Sequence, residues 1–201
     1  MITVCFIENV DAMGVHTGDS YCTAPMLTIS SELQKRLQKY SYDIVHAIQV
    51  IGGTNIQFAH DPATGRVVVI EINPRTSRSS ALASKATGFP IALVSSKLAA
   101  GMTLDEIPYW REGTLEKYSP SGDYVVVKFA RWAFEKFKNA EDKLGTQMRA
   151  VGEVMSIGKT YKEALQKSIR SLEIGRYGLG FAKDFHHRSL DELMDLLSDP
   201  S

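Results

Sequence analysis

The 201-residue sequence lacks the features that define several broad classes of protein. Its two cysteines, Cys5 and Cys22, are too few for a disulfide framework and indicate a reducing, cytoplasmic setting. Apolar runs such as residues 67–70 are too short for a transmembrane helix or a signal peptide. The 23 lysines and arginines balance 23 aspartates and glutamates, so the charge favours neither nucleic acid nor a membrane as a partner.

The sequence also lacks internal repeats, low-complexity tracts and a glycine-rich loop placed directly between a strand and a helix. Neither a P-loop nor a dinucleotide-binding motif is therefore predicted. What is present is a hydrophobic content of 44%, which is enough to build a core, and a length that suits one domain or one and a half. Predicted helices and antiparallel strands together indicate a mixed α+β fold.

Hydrophobic periodicity and helix-capping residues predict the individual elements. Three helices are marked by capping boxes, in which Ser or Thr is followed three residues later by Gln or Glu. The predicted helices are 31–48 (Ser31 and Gln34), 79–85, 90–100, 160–172 (Thr160 and Glu163) and 189–197 (Ser189 and Glu192), and the predicted strands are 2–7, 54–60, 66–75, 123–130 and 153–157.

The most informative stretch is a predicted β-hairpin around the turn Asp-Pro-Ala-Thr-Gly. If the turn is centred on its threonine, paired residues have numbers that sum to about 128, and Gln57 lies opposite Glu71. Asn73 shares a face with Glu71, because side chains two apart on a strand point the same way. A hard cation such as Mg²⁺, bridging to phosphate, suits such a group of oxygen-bearing side chains.

Two arginines, Arg75 and Arg78, follow the hairpin directly. Their guanidinium groups suit an anion held beside the metal. Spacing leaves a second interpretation open. A one-residue slip of register would turn Gln57 to the opposite face as a surface residue, and Glu71 would then pair with an arginine.

Three long strings in the chain resemble the large subunit of carbamoyl-phosphate synthetases: residues 7–20, 71–90 and 148–160. Within the second string, Ser-Arg-Ser-Ser-Ala-Leu-Ala is similar to the amino-terminal of the family's two ATP-grasp halves, which forms carboxyphosphate. The resemblance covers about the first 175 residues, departs from the family at 25–28 and weakens from Tyr177 on. It implies an ATP-grasp subdomain over 1–174, with a mainly antiparallel sheet flanked by helices. A helical tail over 175–201 would lead toward the family's oligomerisation domain.

The resemblance also implies roles for the hairpin residues. Gln57, Glu71 and Asn73 would be ligands of Mg²⁺ or Mn²⁺, and the first two would also contact ATP. Arg75 and Arg78 would be catalytic, since they resemble the arginines that meet bicarbonate or carboxyphosphate. The alternative for both arginines is a structural ion pair with an acidic residue.

A second part of the site is implied for the loop near the start of the chain. Gly14, Val15 and His16 match the family's nucleotide-contacting loop. Glycine lets the backbone approach a ligand closely, and His16 can donate to a phosphate or ribose oxygen. The alternative is that His16 is solvated or structural.

For function, the resemblance implies that bicarbonate attacks the γ-phosphate of ATP to give carboxyphosphate, which ammonia converts to carbamate. The partners would be the rest of the large subunit and a glutamine amidotransferase small subunit that supplies ammonia. Because the family's adenine pocket and lid come mostly from preceding sequence, we expect the chain alone to bind nucleotide weakly and catalyse little.

Two other functions stay open from the sequence. One is a non-catalytic interaction module, in which the last helix docks on another chain through Leu190, Leu193, Met194 and Leu197. The other is a fragment of a different ATP-grasp carboxylase, such as biotin carboxylase, against which the string at 77–88 argues.

Overall fold

The computed structural model shows short strands and amphipathic helices, as the periodicity predicts. It describes residues 1–11, 13–109, 113–136, 139, 141–180 and 186–198. Among these residues, no helix is long and apolar enough to span a membrane. In chain order the elements are β1 Glu8–Asn9, β2 Cys22–Ala24, α1 Ser31–Ala47, β3 Asn55–His60, β4 Val67–Asn73, α2 Arg78–Thr87, α3 Ile91–Ala99, β5 Val125–Trp132, β6 Ala150–Gly158, α4 Tyr161–Ser171 and α5 Leu190–Ser198.

The chain divides into two units, which are described separately. The first consists of residues 1–8 and 23–125, and the second of residues 9–22 and 126–201. β3 and β4 form a two-stranded sheet in the first unit. A four-stranded sheet has the order β1-β2-β5-β6, and β6 and all of β5 except Val125 lie in the second unit.

The predicted strand over residues 2–7 is wrong, because the segment pairs with no strand among the described residues. Its alternating apolar residues Ile2 and Val4 instead pack against the core of the first unit. The Tyr118 hydroxyl donates to the carbonyl of Val4 at 3.2 Å. The segment is therefore held by partly buried side chains and by this hydrogen bond. Because alternate residues pack on the core, the sequence pattern resembles that of a strand.

The core of the first unit lies around the junction of α2 and α3. Phe89, Val94, Ile107 and Leu115 are all less than 10% exposed and form one cluster. The ring of Tyr118 meets Phe89 edge-on, with centroids 4.7 Å apart. Aromatic and aliphatic burial of this kind is the main favourable contribution to folding.

Helix caps in the structure follow the predicted chemistry, with one shift of position. The cap of α1 is Ser30, not the predicted Ser31, since the Ser30 hydroxyl accepts from Leu33 N at 3.2 Å. The Gln34 amide donates to the carbonyl of Ile29 and does not close a box with Ser31. Two adjacent serines make this boundary ambiguous from sequence, and the extended backbone of Ser30 decides it.

Of the other two predicted capping boxes, the one at α5 is confirmed, and the one at α4 is formed in part, because its carboxylate accepts from Lys159 and not from Thr160. At α4, Thr160 Oγ1 accepts from Glu163 N at 3.3 Å, and a Glu163 oxygen accepts from Lys159 N at 2.8 Å. At α5 the pair is reciprocal, since Glu192 N donates to Ser189 Oγ at 3.3 Å and Ser189 N donates to a Glu192 oxygen at 2.8 Å. Each box satisfies main-chain donors that the first helical turn leaves without partners.

In the second unit, α4 packs against the sheet at β5 and β6. Val126, Val127 and Ala164 are fully buried, and Ser168 Oγ donates to the carbonyl of Val127 at 3.3 Å. A Cβ at Gly158 would lie 2.7 Å from Ala164 N. Glycine at the end of β6 therefore permits the close approach of strand and helix.

A carboxylate clamps a loop in the first unit. Glu8 Oε2 accepts from Leu27 N at 2.7 Å and Thr28 N at 2.9 Å, and Glu8 Oε1 accepts from the Thr28 hydroxyl. Partial burial raises the pKa of Glu8, but the bonds from Thr28 and Leu27 outweigh it, and the net pKa lies below the ordinary value for glutamate. The charged form is therefore favoured in the folded state.

This clamp predicts a pH-dependent contribution to stability. Because the folded pKa of Glu8 is depressed, its contribution is present above the ordinary pKa of glutamate and is lost as pH falls through the lowered value. Glu8→Gln should lower the free energy of unfolding by about 1 kcal/mol or less at neutral pH, since solvent screens the site. Denaturant melts of both proteins should converge in acid. The exposed Glu116→Gln serves as a control, and an equal, pH-independent loss in both variants would contradict the clamp.

Candidate functional site

The site in the first unit is built on the hairpin of β3 and β4. The strands are antiparallel, and Gln57 lies opposite Glu71, which confirms the predicted register. Toward the turn a bulge after Gln57 shifts the pairing, so that Phe58 faces Val69. Bulges bend a strand and re-aim neighbouring side chains. The predicted pairing therefore holds at the polar end of the hairpin and moves by one residue nearer the turn.

The Glu71 carboxylate is the centre of the polar group. Its Oε1 accepts from the amide of Gln57 at 2.8 Å and from the amide of Asn73 at 2.9 Å. Glu71 is exposed, and the two amides are half-buried. Two neutral amides thus converge on one negative charge at the surface of the hairpin. The three residues predicted as metal ligands are brought together.

Sequence reasoning missed a fourth polar residue on this face. Asn55 lies opposite Asn73 in the register and two positions before Gln57. Its Oδ1 is buried and has no hydrogen-bond partner among the described residues. A buried acceptor without a partner costs free energy that a ligand would offset. The alternation that joined Asn73 to Glu71 would also have found Asn55 beside Gln57.

The two predicted arginines lie at the end of β4 and the start of α2. Arg75 donates to Asn73 Oδ1 at 3.3 Å and to the carbonyl of Thr76 at 3.1 Å. Arg78 is the first residue of α2, whose cap is a box between Ser77 and Ser80. Both arginines are exposed at the surface. Arg75 is therefore joined to the Glu71 group through Asn73, and Arg78 adds positive charge at a helix start, where anions are already favoured.

The predicted nucleotide loop lies in the second unit. Gly14 is exposed with a φ of +107°, which favours glycine. Val15 and His16 are half-buried, and His16 N donates to the carbonyl of Gly145 at 2.8 Å. The ring of His16 is held by its own turn, since Gly18 N donates to Nδ1 at 2.9 Å. The hairpin residues are grouped in one unit, and this loop belongs to the other.

The donor set decides which metal suits the hairpin. The described residues contain no cluster of three His, Cys, Asp or Glu side chains. The hairpin instead offers one carboxylate, the amide oxygens of Gln57 and Asn73, and the unpartnered oxygen of Asn55. An all-oxygen set of this kind suits Mg²⁺ or Mn²⁺ and does not suit zinc. The residues present therefore fit the predicted cation.

Two solved structures have a fold similar to that of this chain. Rhizobium etli pyruvate carboxylase matches 79% of this chain and 17% of its own, with a TM-score of 0.58 at 17% identity. The biotin carboxylase subunit of pyruvate carboxylase matches 80% of this chain and 43% of its own, with a TM-score of 0.53 at 15% identity. At such identities the likeness concerns the fold alone. The predicted α+β ATP-grasp fold is confirmed.

Family models and curated relatives narrow the class. The carbamoyl-phosphate synthase L chain ATP binding domain matches residues 1–107, and the carbamoyl-phosphate synthetase large chain oligomerisation domain matches residues 153–201. The chain belongs to the carbamoyl-phosphate synthase large-chain family. The Archaeoglobus fulgidus large chain is 53% identical over this whole chain. The Methanopyrus kandleri large chain, N-terminal section, is 52% identical, also over the whole chain.

The match covers a minor part of these relatives. The chain spans 19% of the A. fulgidus protein and 36% of the M. kandleri section. The Thermotoga maritima large chain is 58% identical over 86% of this chain and 16% of its own length. The family-model match and the identities of 52–58% to these relatives confirm the predicted family.

Proposed function

We propose that the chain forms the metal- and phosphate-binding part of the carboxyphosphate-forming site of a carbamoyl-phosphate synthase large subunit, a ligase. The observation that carries the proposal is the convergence of Gln57 and Asn73 on Glu71, with Arg75 attached through Asn73. The M. kandleri relative, named as an N-terminal section, supports the amino-terminal half. ATP and bicarbonate would be the substrates at this site, and ammonia would react with the product.

The proposed chemistry is phosphoryl transfer, in which positioning and charge neutralisation provide most of the catalysis. Mg²⁺ or Mn²⁺ would neutralise charge on the β- and γ-phosphates when bound. Glu71 would supply the negative charge that attracts the cation, with Gln57 and Asn73 as neutral oxygen ligands. Arg75 and Arg78 would hold bicarbonate and stabilise the carboxyphosphate, since their planar forks match a carboxylate-like anion. Gly14, Val15 and His16 would contact the nucleotide.

Exposed apolar residues support a requirement for further protein. Val69 and Ile70 of β4 are nearly half exposed, and Ile51, just before the hairpin, is 76% exposed. Neighbouring positions 69 and 70 of a strand point to opposite sides, so both sides of the hairpin carry exposed apolar side chains that another protein would cover. The occupant we propose is the rest of the large subunit, with a glutamine amidotransferase small subunit as the ammonia source.

We infer that the chain acts in the cytoplasm. The division at residue 174 stays a prediction.

The exposed side of α5 favours a second candidate function, docking on another chain. Leu190, Met194 and Leu197 are between 58% and 74% exposed. An interaction module alone would bind its partner without contributing to ATP turnover. The same reconstitution therefore separates this candidate from a catalytic role.

The test is bicarbonate-dependent ADP formation by this chain. This chain should be mixed with the part of the M. kandleri N-terminal section that lies outside the region of similarity. We expect little ADP from either polypeptide alone and bicarbonate-dependent ADP from the mixture. Binding of the two without bicarbonate-dependent ADP would contradict the carboxyphosphate assignment and favour docking alone.

A further inference from the structure

A fully buried carboxylate lies in the second unit, in a loop where sequence analysis found no acidic role. Asp19 is 0% exposed. Arg149 N donates to its two oxygens at 3.0 and 2.8 Å, and Ala150 N donates to Oδ1 at 2.6 Å. Burial of a carboxylate is costly unless hydrogen bonds replace its water. Asparagine would turn an NH₂ group toward these main-chain donors, so the site requires an acceptor at both oxygens.

The same turn holds the predicted nucleotide residue His16. Its carbonyl accepts from Asp19 N at 2.8 Å and Ser20 N at 3.1 Å, while its own N donates to the Gly145 carbonyl. Residues 16–20 are therefore attached to the segment leading into β6 at two points, Gly145 and Arg149–Ala150. Loosening the Asp19 attachment would free one side of this turn.

The ring of His16 is also oriented by the turn. Gly18 N donates to Nδ1 at 2.9 Å, so Nδ1 is an acceptor and carries no proton. In a neutral imidazole the proton then lies on Nε2, which becomes a hydrogen-bond donor. A Cβ at Gly18 would lie 3.1 Å from this Nδ1 and 2.7 Å from Met148 Sδ. The absence of a side chain at position 18 thus permits the contact.

We propose that Asp19 is a positioning residue, which holds the 16–20 turn so that His16 presents Nε2–H to an acceptor oxygen of the bound nucleotide. The nucleotide part rests on the function proposed above, whereas the tautomer is a property of this chain. Asp19 itself need not touch the ligand. Its effect would pass through the turn to Gly18 N and from there to the imidazole.

The first test is the imidazole tautomer. Long-range ¹H–¹⁵N spectra of the 201-residue chain, recorded with the imidazole in its neutral form, should show His16 as the Nε2–H form. His16→Ala assigns the signals. Asp19→Asn should give a mixture of tautomers. Asp11→Asn is the matched control, because Asp11 also accepts a main-chain N–H, from Tyr21 at 2.8 Å, and should leave the His16 spectrum unchanged.

A second variant keeps the test valid if Asp19→Asn fails to fold. Gly18→Ala crowds Nδ1 directly, and Met148, which is 47% exposed, can move aside. It should also populate the Nδ1–H form. An Nδ1–H tautomer in the wild type, or an unchanged tautomer in both folded variants, would overturn the proposal.

The nucleotide part is tested in the reconstituted mixture. Asp19→Asn and His16→Ala should each raise the KM for ATP about tenfold, the effect of one lost hydrogen bond, with kcat nearly unchanged. The double variant should be no worse than His16→Ala, since both changes remove one contact. Additive losses, or a raised KM with an unchanged tautomer, would overturn the positioning role and leave the proposed function intact. A variant-sensitive tautomer in a mixture that turns over no ATP would show that the proposed function had failed, and the nucleotide part with it.

Discussion

Glu71→Gln is expected to lower bicarbonate-dependent ADP formation in the reconstituted enzyme by about 10²–10³-fold, comparable to the loss of one preorganised electrostatic contact. The physical reason is charge. Among the grouped hairpin residues, Glu71 carries the negative charge, and Gln57 and Asn73 contribute neutral amides. Glutamine keeps the shape but replaces one oxygen by a donor, so a divalent cation loses its anionic ligand.

The Glu71→Gln prediction is tested by two measurements, Mn²⁺ affinity and ADP formation, and by one control variant. Mn²⁺ affinity and ADP formation should fall together in Glu71→Gln. Glu106→Gln removes a carboxylate elsewhere in the first unit, where Glu106 accepts from Thr103 N at 2.8 Å, and should change neither quantity. Circular dichroism should show both variants folded. Full activity in Glu71→Gln would contradict the metal-ligand role, whereas equal losses in both variants would indicate a general effect on the fold.

Phe89→Ala is expected to destabilise the first unit by about 3–5 kcal/mol, the usual cost of removing a buried phenylalanine. Phe89 is 2% exposed and packs with Val94, Ile107 and Leu115. Its ring also meets Tyr118 edge-on. Removal leaves a cavity between α2 and α3, and a domain with typical stability would lose a large fraction of its free energy of unfolding.

The measurement is the free energy of unfolding from denaturant melts. Leu93→Ala is the control, because Leu93 lies in α3, four residues after Phe89, but is 56% exposed. It should cost about 0.5 kcal/mol or less. Phe89→Leu should fall between the two, since it keeps part of the buried volume. Similar losses for Phe89→Ala and Leu93→Ala would show that this cluster does not carry the stability of the unit.

Much of the secondary structure follows from local signals. Ser189 and Glu192 form their capping box, and Thr160 caps α4 by accepting from Glu163 N, because the partners lie within one helical turn. Gly88, with a φ of +71°, ends α2 as predicted. Such features depend on neighbours three or four residues away, so the sequence contains the information.

The candidate metal site could be predicted for a similar reason. A hairpin with a short turn restricts which residues face each other, so Gln57, Glu71 and Asn73 could be grouped before the structure was known. The bulge after Gln57 was not predictable in this way. It alters the pairing only toward the turn and spares the polar end. The roles of these residues in metal and nucleotide binding stay predictions.

Long-range packing decided the features that sequence reasoning missed or placed wrongly. Residues 2–7 have the alternation of a strand, but Ile2 and Val4 pack, partly buried, against the core cluster of the first unit without strand pairing. Asp19 acquires its importance from Arg149 and Ala150, about 130 residues away along the chain. The sequence by itself determined the family, most helices and the polar pairing of the hairpin. Tertiary structure decided which side chains are buried and which main-chain groups satisfy them, because these depend on contacts between distant segments.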